Sequence, residues 1–408
     1  MKKLEQRVPN LRFKGFTDDW EQHKLGDIAK VTKLAGFEFT KYINYSSKGK
    51  ILAIRGLNIK DGKFNLQDVK YIDNSDFNKL TRSKLRQDDI LFTYVGTIGN
   101  SAIVPAGVKW YLAPNVCLIR TQTENAKFIS HLIQSDKFQH QEIPKWITTS
   151  SQPALSMENI RKFSIILPTI SEQLKISNLV SIIDTIITLQ QRKLDLLKQL
   201  KKGFLQKMFA DKDSKQPVLR FKGFHDDWEQ RKLGEISTSF SGGTPSVKNK
   251  SYYGGKIPFI RSAEIHKDKT ELFITESGLK NSSAKLIKKG TLLYALYGAT
   301  SGEVDVSNID GAINQAIIAI FLQKDNVSFI KYYLEKNKDK IIAKYLQGGQ
   351  GNLSASIIKS VHINLPFTEE QLKISNLIKK VESLIFLQQQ KLAKYQSIKK
   401  SLLQQMFI

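Results

Sequence analysis

Apolar residues recur every three or four positions along two stretches of the chain, one in the middle and one at the C-terminal end. This spacing predicts two long amphipathic helices. We expect the first to cover Ser171–Phe209, because Pro168 precedes it and a serine followed by an acidic residue is typical of a helix start. The two apolar stripes consist of Leu179, Ile183, Ile186, Leu197, Leu200, Phe204 and Met208, and of Leu377, Val381, Leu384, Tyr395, Ile398, Leu402 and Met406.

Two helices with such stripes are expected to pack on each other as a coiled-coil pair. The alternative is that each helix packs separately on its own globular domain. The residues predicted to form the helix–helix contact are Leu179, Ile183, Ile186, Leu197, Leu200, Leu377, Val381, Leu384, Ile398 and Leu402.

The stretches outside these helices, residues 30–167 and 237–365, have a different pattern. Short apolar runs such as Ile51–Ile54 and Asp89–Tyr94 alternate with Gly and Asn turns and predict short strands. Lys127–Gln139 instead has apolar residues at helical spacing. Strands and helices mixed without a strand–helix–strand rhythm indicate an α+β fold.

Both halves of the chain are framed by the same sequences. LRFKGFTDDWEQHKLGDI at Leu11–Ile28 returns as LRFKGFHDDWEQRKLGEI at Leu219–Ile236, and LPTISEQLKISNL at Leu167–Leu179 returns as LPFTEEQLKISNL at Leu365–Leu377. A repeat of this length indicates duplicated domains rather than solenoid units. The frame is constant while the middles diverge, so the specific function is expected to lie in the middles.

The duplication predicts the domain boundaries. They are residues 1–168 for the first frame and middle, 169–210 for a central helix, 211–218 for a linker, 219–366 for the second frame and middle, and 367–408 for the C-terminal helix. Trp20 and Trp228 belong to the constant frame and are therefore predicted to be structural anchors rather than base-stacking groups.

The two middles share a faint scaffold. Arg55 corresponds to Arg261, the glycine turn around Thr97 to the one around Thr300, and Asn115 to Asn314. We infer that the fold was kept after duplication while most surface residues changed.

The formal net charge of +25 favours a polyanionic partner, which can be DNA, RNA or an anionic membrane. A membrane is the weakest option, since no apolar run approaches the ~20 residues of a spanning helix. Cys117 is the only cysteine, which excludes an intrachain disulfide and fits a reducing cytoplasm. We expect it to be a small core residue.

Motifs for catalysis are missing from the sequence. It has no phosphate-binding loop, no dinucleotide fingerprint and no Asn/Asp-Pro-Pro-aromatic loop of an amino-methyltransferase. The six histidines have no zinc-ligand spacing with the lone cysteine. No metal site is therefore predicted.

Loops that mix basic, aromatic and amide residues remain as candidates for DNA contact. Lysines would contact phosphates, and amide, hydroxyl and guanidinium groups can bond to base edges. For any single residue, a solvated polar loop is the alternative. The candidates are Lys41, Tyr42, Lys48, Lys50, Arg55, Thr97, Thr148, Ser150, Gln152, Lys248, Lys250, Tyr252, Arg261, Thr300, Gln347, Gln350 and Asn352.

The whole pattern resembles a specificity subunit of a Type I restriction–modification system. The likeness rests on the duplicated frame, on Pro168…Glu172-Gln173…Ile176 and its repeat from Pro366, and on the two helices that follow. It implies two target-recognition domains related by a pseudo-two-fold axis and separated by two long antiparallel helices that form a coiled-coil spacer. Each domain would read one half of a split double-stranded DNA target.

The resemblance also implies partners and a division of labour. Two methyltransferase subunits would dock on the helices, and nuclease–translocase subunits would join the complex through those methyltransferases. Together these partner subunits would methylate adenine and restrict DNA. The chain itself would be non-catalytic and hold no cofactor, since S-adenosylmethionine, magnesium and ATP belong to the partners. The alternatives are a stand-alone nuclease or methyltransferase with cryptic motifs, and a coiled-coil scaffold without a nucleic-acid role.

Overall fold

The computed structural model describes residues 8–148, 153–211, 214–346 and 352–408. Four of the candidate DNA-contact residues, Ser150, Gln152, Gln347 and Gln350, lie outside this part of the chain. The chain divides into two compact units. The first unit contains Met1–Gln191 and Gln390–Ile408, and the second contains Arg192–Gln389.

The elements of the first half begin in the repeated frame and end in a long helix. They are β1 (Glu21–Lys24), α1 (Leu25–Ile28), β2 (Ala29–Lys33), α2 (Gly36–Tyr42), β3 (Leu52–Ile54), β4 (Ile59–Lys60), β5 (Lys63–Phe64), β6 (Lys70–Tyr71), β7 (Ile90–Thr93), β8 (Ser101–Ile103), β9 (Trp110–Leu112), β10 (Val116–Thr121), α3 (Ala126–Gln134), α4 (Met157–Arg161), β11 (Ser164–Leu167) and α5 (Ile170–Lys207).

The second half repeats this order with local changes. Its elements are β12 (Glu229–Lys232), α6 (Leu233–Ile236), β13 (Ser237–Ser241), β14 (Tyr253–Ile260), β15 (Phe273–Ile274), α7 (Glu276–Lys280), β16 (Lys285–Ile287), β17 (Leu292–Ala295), β18 (Val304–Val306), β19 (Gly311–Ile313), β20 (Ile317–Leu322), α8 (Val327–Leu346), α9 (Ala355–Lys359), β21 (His362–Leu365) and α10 (Thr368–Gln405). The α+β prediction and the two long helices are confirmed.

The main sheet has the same strand order in both units. An antiparallel sheet runs β2-β10-β7-β8 in the first unit and β13-β20-β17-β18 in the second. A separate strand pair closes each domain, β1 with β11 and β12 with β21. Each unit also has a smaller sheet with one parallel pair, β3 with β9 and β14 with β19.

The central strand β10 shows why these residues form a sheet buried on both faces. Cys117 and Ile119 belong to one apolar cluster, while Val116 and Leu118 belong to the cluster on the opposite side. Successive strand residues point to opposite faces, so an uninterrupted apolar run fills both layers. Cys117 is fully buried in the core, as predicted, and burial raises the pKa of its thiol.

The repeated frame is a clamp on the start of each long helix. The Arg12 guanidinium donates to both carboxylate oxygens of Glu172 at 2.7 and 2.8 Å, and Glu172 is fully buried. Arg220 and Glu370 repeat the contact at 2.8 and 2.9 Å. Bidentate pairing of this kind satisfies a charge that would otherwise be costly to bury.

The repeated tryptophans are core anchors, as predicted. Trp20 and Trp228 are buried, and each meets a phenylalanine edge-on, Phe128 at 5.8 Å and Phe329 at 5.7 Å between ring centroids. That phenylalanine also packs against a residue at the end of a long helix. Phe407 after α10 lies 5.0 Å from Phe128.

The equivalent contact in the second unit is made by Phe209, just after α5, at 4.9 Å from Phe329. Each core is therefore completed by the end of the helix that begins in the other half of the sequence. A helix segment distant in sequence is thus part of each hydrophobic core.

The buried face of the helices differs from the predicted stripe. Each helix has a line of low exposure with a period of seven residues, which is typical of a coiled-coil seam. The line consists of Val180, Ile187, Leu194, Lys201 and Met208 on one helix and of Ile378, Ile385, Leu392, Lys399 and Met406 on the other. The fourth residue of each line is a lysine, so a search for regularly spaced apolar residues does not find the line.

The predicted contact residues fall on several faces. Val381 is buried, whereas Leu200, Leu384 and Ile398 are 45%, 51% and 37% exposed, so the structure does not place these three in the seam. The other six are half-buried: Leu179, Ile183, Ile186, Leu197, Leu377 and Leu402. Leu179, Leu377 and Leu402 pack against the domain cores. The predicted stripe shares Met208 and Met406 with the seven-residue line, and its other members are offset from that line.

Each seam lysine is paired with an acid from the other helix within its own unit. Lys399 contacts Asp184 at 2.7 Å in the first unit. Lys201 contacts Glu382 at 2.7 Å and Glu335 at 2.6 Å in the second. In each unit the end of one long helix therefore meets the start of the other, as the antiparallel prediction requires.

A buried histidine distinguishes the first unit from the second. His131 in α3 takes the position that Tyr332 has in α8. Tyr332 donates its hydroxyl to Glu382 at 2.5 Å, but neither ring nitrogen of His131 has a partner among the described residues. Burial lowers the pKa of His131 to about 4, against an opposing effect of Asp184 and a reinforcing effect of Lys399 and Lys127.

The helix ends should contribute strongly to stability. Phe407→Ala removes a buried ring from the first core and should destabilise that unit by about 3–5 kcal/mol. Hydrogen–deuterium exchange should show lost protection in β2, β10 and β7 but not in β13, β20 and β17. Phe386→Ala, which truncates an exposed ring on the same helix, is the control and should leave both sheets unchanged. Equal loss in both sheets would contradict the assignment of Phe407 to the first core.

His131 should make the first unit sensitive to acid. Its folded pKa lies below the ordinary 6.5, so the unfolded chain binds the proton first and stability falls as the pH drops from about 6.5 to 4. His131→Phe should remove this loss and raise stability near pH 5, measured by denaturant unfolding at several pH values. Carboxylates that titrate in the same range are present in the wild-type chain and in the His131→Phe variant, so their effects cancel in the difference between the two free energies of unfolding. Parallel stability–pH curves would contradict the prediction.

Candidate nucleic-acid interface

The predicted contact residues that the structure describes lie at the ends of short helices and strands or on the loops between them. Lys41 and Tyr42 end α2, Lys48 and Lys50 precede β3, Arg55 follows β3, Thr97 lies between β7 and β8, and Thr148 follows a short 3₁₀ turn. In the second unit, Lys248, Lys250 and Tyr252 precede β14, Arg261 follows β14, Thr300 lies between β17 and β18, and Asn352 precedes α9.

The lysine loop of the first unit is pinned by a carboxylate at its base. Asp73 accepts the backbone N–H groups of Lys50 and Ile51, and these bonds lower its pKa. A Cβ at Gly49 would overlap the same carboxylate, so the turn requires glycine. The loop is thereby held while the Lys48 and Lys50 side chains remain exposed and have no ion pair among the described residues.

The lysine loop of the second unit is held by its own polar residues. The Asn249 side chain accepts the Ser251 N–H at 3.1 Å, and the Tyr253 hydroxyl donates to the Pro245 carbonyl at 2.6 Å. Lys248 and Lys250 flank Asn249 and are exposed. Cations fixed on an ordered loop can bind phosphate at a lower entropic cost than cations on a loose one.

Exposed apolar side chains accompany these loops, and the sequence reasoning missed them. Phe37 is 62% exposed and lies edge-on to Tyr42 at 6.5 Å, with Lys41 over the same Tyr42 ring at 5.7 Å. Val247 is 74% exposed beside Lys248. The available signal was an apolar residue inside an otherwise polar, Gly- and Lys-rich segment.

A cavity of about 810 Å³ brings two predicted residues of the first unit together, Arg55 and Thr97. Asn115 and Tyr45 line it as well. Burial raises the pKa of Tyr45, and the Arg55 charge opposes that shift. Lys41, Lys48, Lys50 and Thr148 do not line this cavity.

The parallel strand pair explains why Arg55 and Asn115 meet. Ile54 pairs with Leu112 in register, and parallel strands end at the same edge of a sheet. Arg55 directly follows β3, and Asn115 lies three residues after β9. Asn115 has φ 69°, a left-handed conformation that asparagine tolerates better than most residues. The same reasoning places Arg261 beside Asn314, since Ile260 pairs with Ile313.

The arginine has different partners in the two units. Arg261 donates to both oxygens of Glu264 at 3.0 and 2.9 Å and to Glu271 at 3.0 Å. Arg55 instead contacts the carbonyl and the carboxylate of Asp68, at 2.8 and 3.1 Å. Its Nε is buried and has no partner among the described residues.

The long helices carry a second kind of exposed surface. On the first unit, Leu174, Ile182 and Leu189 of α5 are exposed, and on the second unit Leu372 and Leu387 of α10 are exposed. Leucines 174 and 372, and leucines 189 and 387, occupy equivalent places in the two copies of the helix. Exposed apolar residues that recur at the same places on both helices suit a protein-binding surface.

Other kinds of site are not found in the part of the chain that the structure describes. No group of three or more His, Cys, Asp or Glu residues there could hold a metal ion. None of the described helices combines the length and the apolar character needed to cross a membrane.

Comparison with known proteins identifies relatives along nearly the whole chain. The sequence model of the Type I restriction modification DNA specificity domain matches residues 17–199 and 225–396. The type I restriction enzyme MjaVIII specificity subunit of Methanocaldococcus jannaschii is 23% identical over 411 residues, covering 95% of this chain and 91% of that protein. The MjaIX specificity subunit of the same organism is 31% identical over 169 residues, 39% of each chain.

A solved structure with a similar fold is the S subunit of a Type I restriction–modification system from M. genitalium. It has a TM-score of 0.65 and 15% identity and covers 98% of this chain and 99% of that one. At this identity the match shows the fold, and it agrees with the predicted α+β architecture with two long helices. Because the family sequence model matches both halves, the chain belongs to the Type I restriction–modification DNA specificity family.

Proposed function

We propose that this chain reads a bipartite DNA sequence, one half-site with each unit, and directs adenine methylation and restriction by partner subunits. The observation that carries the proposal is the exact repetition of the clamp, anchor and sheet in two units whose loops differ in sequence. Two equivalent frameworks with unlike surfaces suit a target made of two unlike half-sites.

The proposal assigns recognition to residues 1–168 and 219–366. Residues 169–210 and 367–408 are the helical spacer, and residues 211–218 are the linker. The continuous helices α5 and α10 support this division, because each begins directly after a recognition domain and ends in a hydrophobic core.

Affinity for DNA is proposed to come from the basic loops. The net charge is +25, and the lysine side chains at positions 48, 50, 248 and 250 are exposed and unpaired among the described residues. Lysine–phosphate contacts displace counterions and bind DNA of any sequence. Specificity must then come from groups that reach the bases.

Two methyltransferase subunits are the proposed protein partners, and nuclease–translocase subunits would join through them. The exposed leucines at equivalent places on α5 and α10 support two similar docking surfaces, one on each unit. Assembly on chromosomal DNA in the cytoplasm is part of the same proposal.

Catalysis is assigned to those partners. The purified chain with DNA and S-adenosylmethionine should transfer no methyl group, and adding the methyltransferase subunit should start methylation. Methyl transfer by the chain alone would instead identify a stand-alone DNA methyltransferase.

Exchange of one middle tests the bipartite reading directly. Replacing residues 30–162 with those of another family member keeps both partners of the β1–β11 pair and the Arg12–Glu172 clamp. Mapping of methylated adenines should show one half-site changed, with the other half-site and the gap between them preserved.

The matched control is exchange of residues 237–360, which should change the opposite half-site only. If either exchange altered both half-sites, reading would be shared between the units and the proposal would fail.

The lysine loops should set the salt dependence of DNA binding. Each phosphate contact adds about 0.9 to the slope of log affinity against log salt, so Lys48→Gln with Lys50→Gln should lower the slope by up to about 1.8. The preference for the target over unrelated DNA should change little. Fluorescence anisotropy over a salt series measures both.

A control with the same charge change uses lysines that already have acidic partners. Lys162 pairs with Glu158 at 2.5 Å and Lys288 with Asp310 at 2.9 Å. Lys162→Gln with Lys288→Gln should leave the slope nearly unchanged. Equal slopes in both double variants would remove the Lys48–Lys50 loop from the interface.

A further inference from the structure

The two units place an arginine at the same structural position but give it different neighbours. Arg55 and Arg261 each follow the strand that is parallel to its neighbour, and each precedes a short 3₁₀ turn, Gly56–Asn58 or Ser262–Glu264. In both units the side chain of the last residue of that turn accepts the backbone N–H of the arginine. It is Asn58 at 3.1 Å in the first and Glu264 at 3.3 Å in the second.

In the second unit the acidic residue also binds the guanidinium. Glu264 is buried and accepts two bonds from Arg261 and one from the Thr270 hydroxyl. Burial raises the pKa of Glu264, but these bonds and the Glu271 N–H outweigh it and lower the pKa to about 2. Arg261 is therefore used inside the protein, with Glu271 as a further partner.

In the first unit the amide cannot do this. Asn58 is fully buried, and its Nδ2 donates to the carbonyls of Asn65 and Asp68 at 3.0 and 2.7 Å. A neutral amide provides no counter-charge, so Arg55 reaches only the exposed Asp68. The Arg55 Nε stays buried without an acceptor among the described residues, which is costly for a charged donor.

Arg55 also lines the cavity that Thr97 and Asn115 share. The described residues provide no hydrogen-bond partner for the Asn115 side-chain amide either. The cavity thus combines a guanidinium donor with an uncommitted amide and hydroxyl. A guanidinium pairs best with a planar group that has two acceptors side by side, and among the bases guanine offers N7 and O6 in this arrangement.

Resting on the proposed function, we propose that Arg55 is a specificity-determining residue that binds a guanine of the first half-site at this cavity, and that Arg261 has no such role. Because Asn58 stands where the second unit has Glu264, Arg55 lacks the buried counter-charge that engages Arg261. The first unit would then read guanine with the arginine at this shared position, while the second unit must read its half-site with residues other than Arg261.

The experiment uses the full chain and target DNA in which each guanine of the first half-site is replaced in turn by 7-deazaguanine, which lacks N7. Exchange of residues 30–162 identifies that half-site. At one guanine the analogue should weaken wild-type binding by about 5- to 150-fold. Arg55→Gln should bind normal DNA with a similar loss and should show no further loss with the analogue at that guanine.

Arg55→Lys keeps the charge but not the paired donors, so it should respond to the analogues as Arg55→Gln does. It takes the place of Arg55→Gln in the experiment if that variant folds poorly. Arg261→Gln is the matched control. It should lower the melting temperature, because it leaves buried Glu264 without its cation, but it should keep the wild-type response to every analogue.

An Arg55→Gln chain that responds to every analogue as wild type does would overturn the inference, as would a first half-site without guanine on either strand. In both cases bipartite reading itself would still stand. Loss of bipartite reading by the wild-type chain would instead overturn the proposed function.

Discussion

The fold depends on a buried glutamate at the start of each long helix, whose charge is neutralised by an arginine at the beginning of the same half of the sequence. Glu172 starts a helix of 38 residues and has no exposure to solvent, so its charge is satisfied only by groups within the protein. Arg12 provides both donors from 160 residues away, and Arg220 does the same for Glu370. The carboxylate also lies in the first turn of the helix, where a negative charge is favoured by the helix dipole. Each frame sequence and each closing sequence is therefore needed by the other.

This dependence explains which parts of the chain could be predicted from its sequence. The residues of the frame contact each other in both halves, so the repeat itself identified the anchors Trp20 and Trp228. The domain bounds drawn from the repeat remain predictions. The helices were predictable because their apolar spacing extends over many turns. Their buried face was harder to predict, because Lys201 and Lys399 interrupt the seven-residue line and are stabilised there only by acids distant in sequence.

The candidate site was predictable only in part, for a topological reason. Arg55 and Asn115 are 60 residues apart, and they meet because β3 and β9 are parallel, a pairing that the strand patterns do not reveal. The partners of Arg261 could not be predicted either, since nothing in the sequence distinguishes Glu264 from an exposed glutamate. The short turn after Arg261 brings Glu264 into contact with the guanidinium. Four candidates, Ser150, Gln152, Gln347 and Gln350, lie outside the described residues. Contact with DNA remains a prediction for these four and for all the other candidates.

The exchange of helix ends between the cores has a consequence for the synthesis of the chain. Domains generally fold as units while they emerge from the ribosome, the N-terminal one first. Here all of the second unit, Arg192–Gln389, is made before Gln390–Ile408 of the first unit. The first unit must wait for Met406 and Phe407, which fill its core next to Phe128. The domain translated first is thus the last to close, and a nascent chain exposes an unfilled apolar core until Met406 and Phe407 have been made.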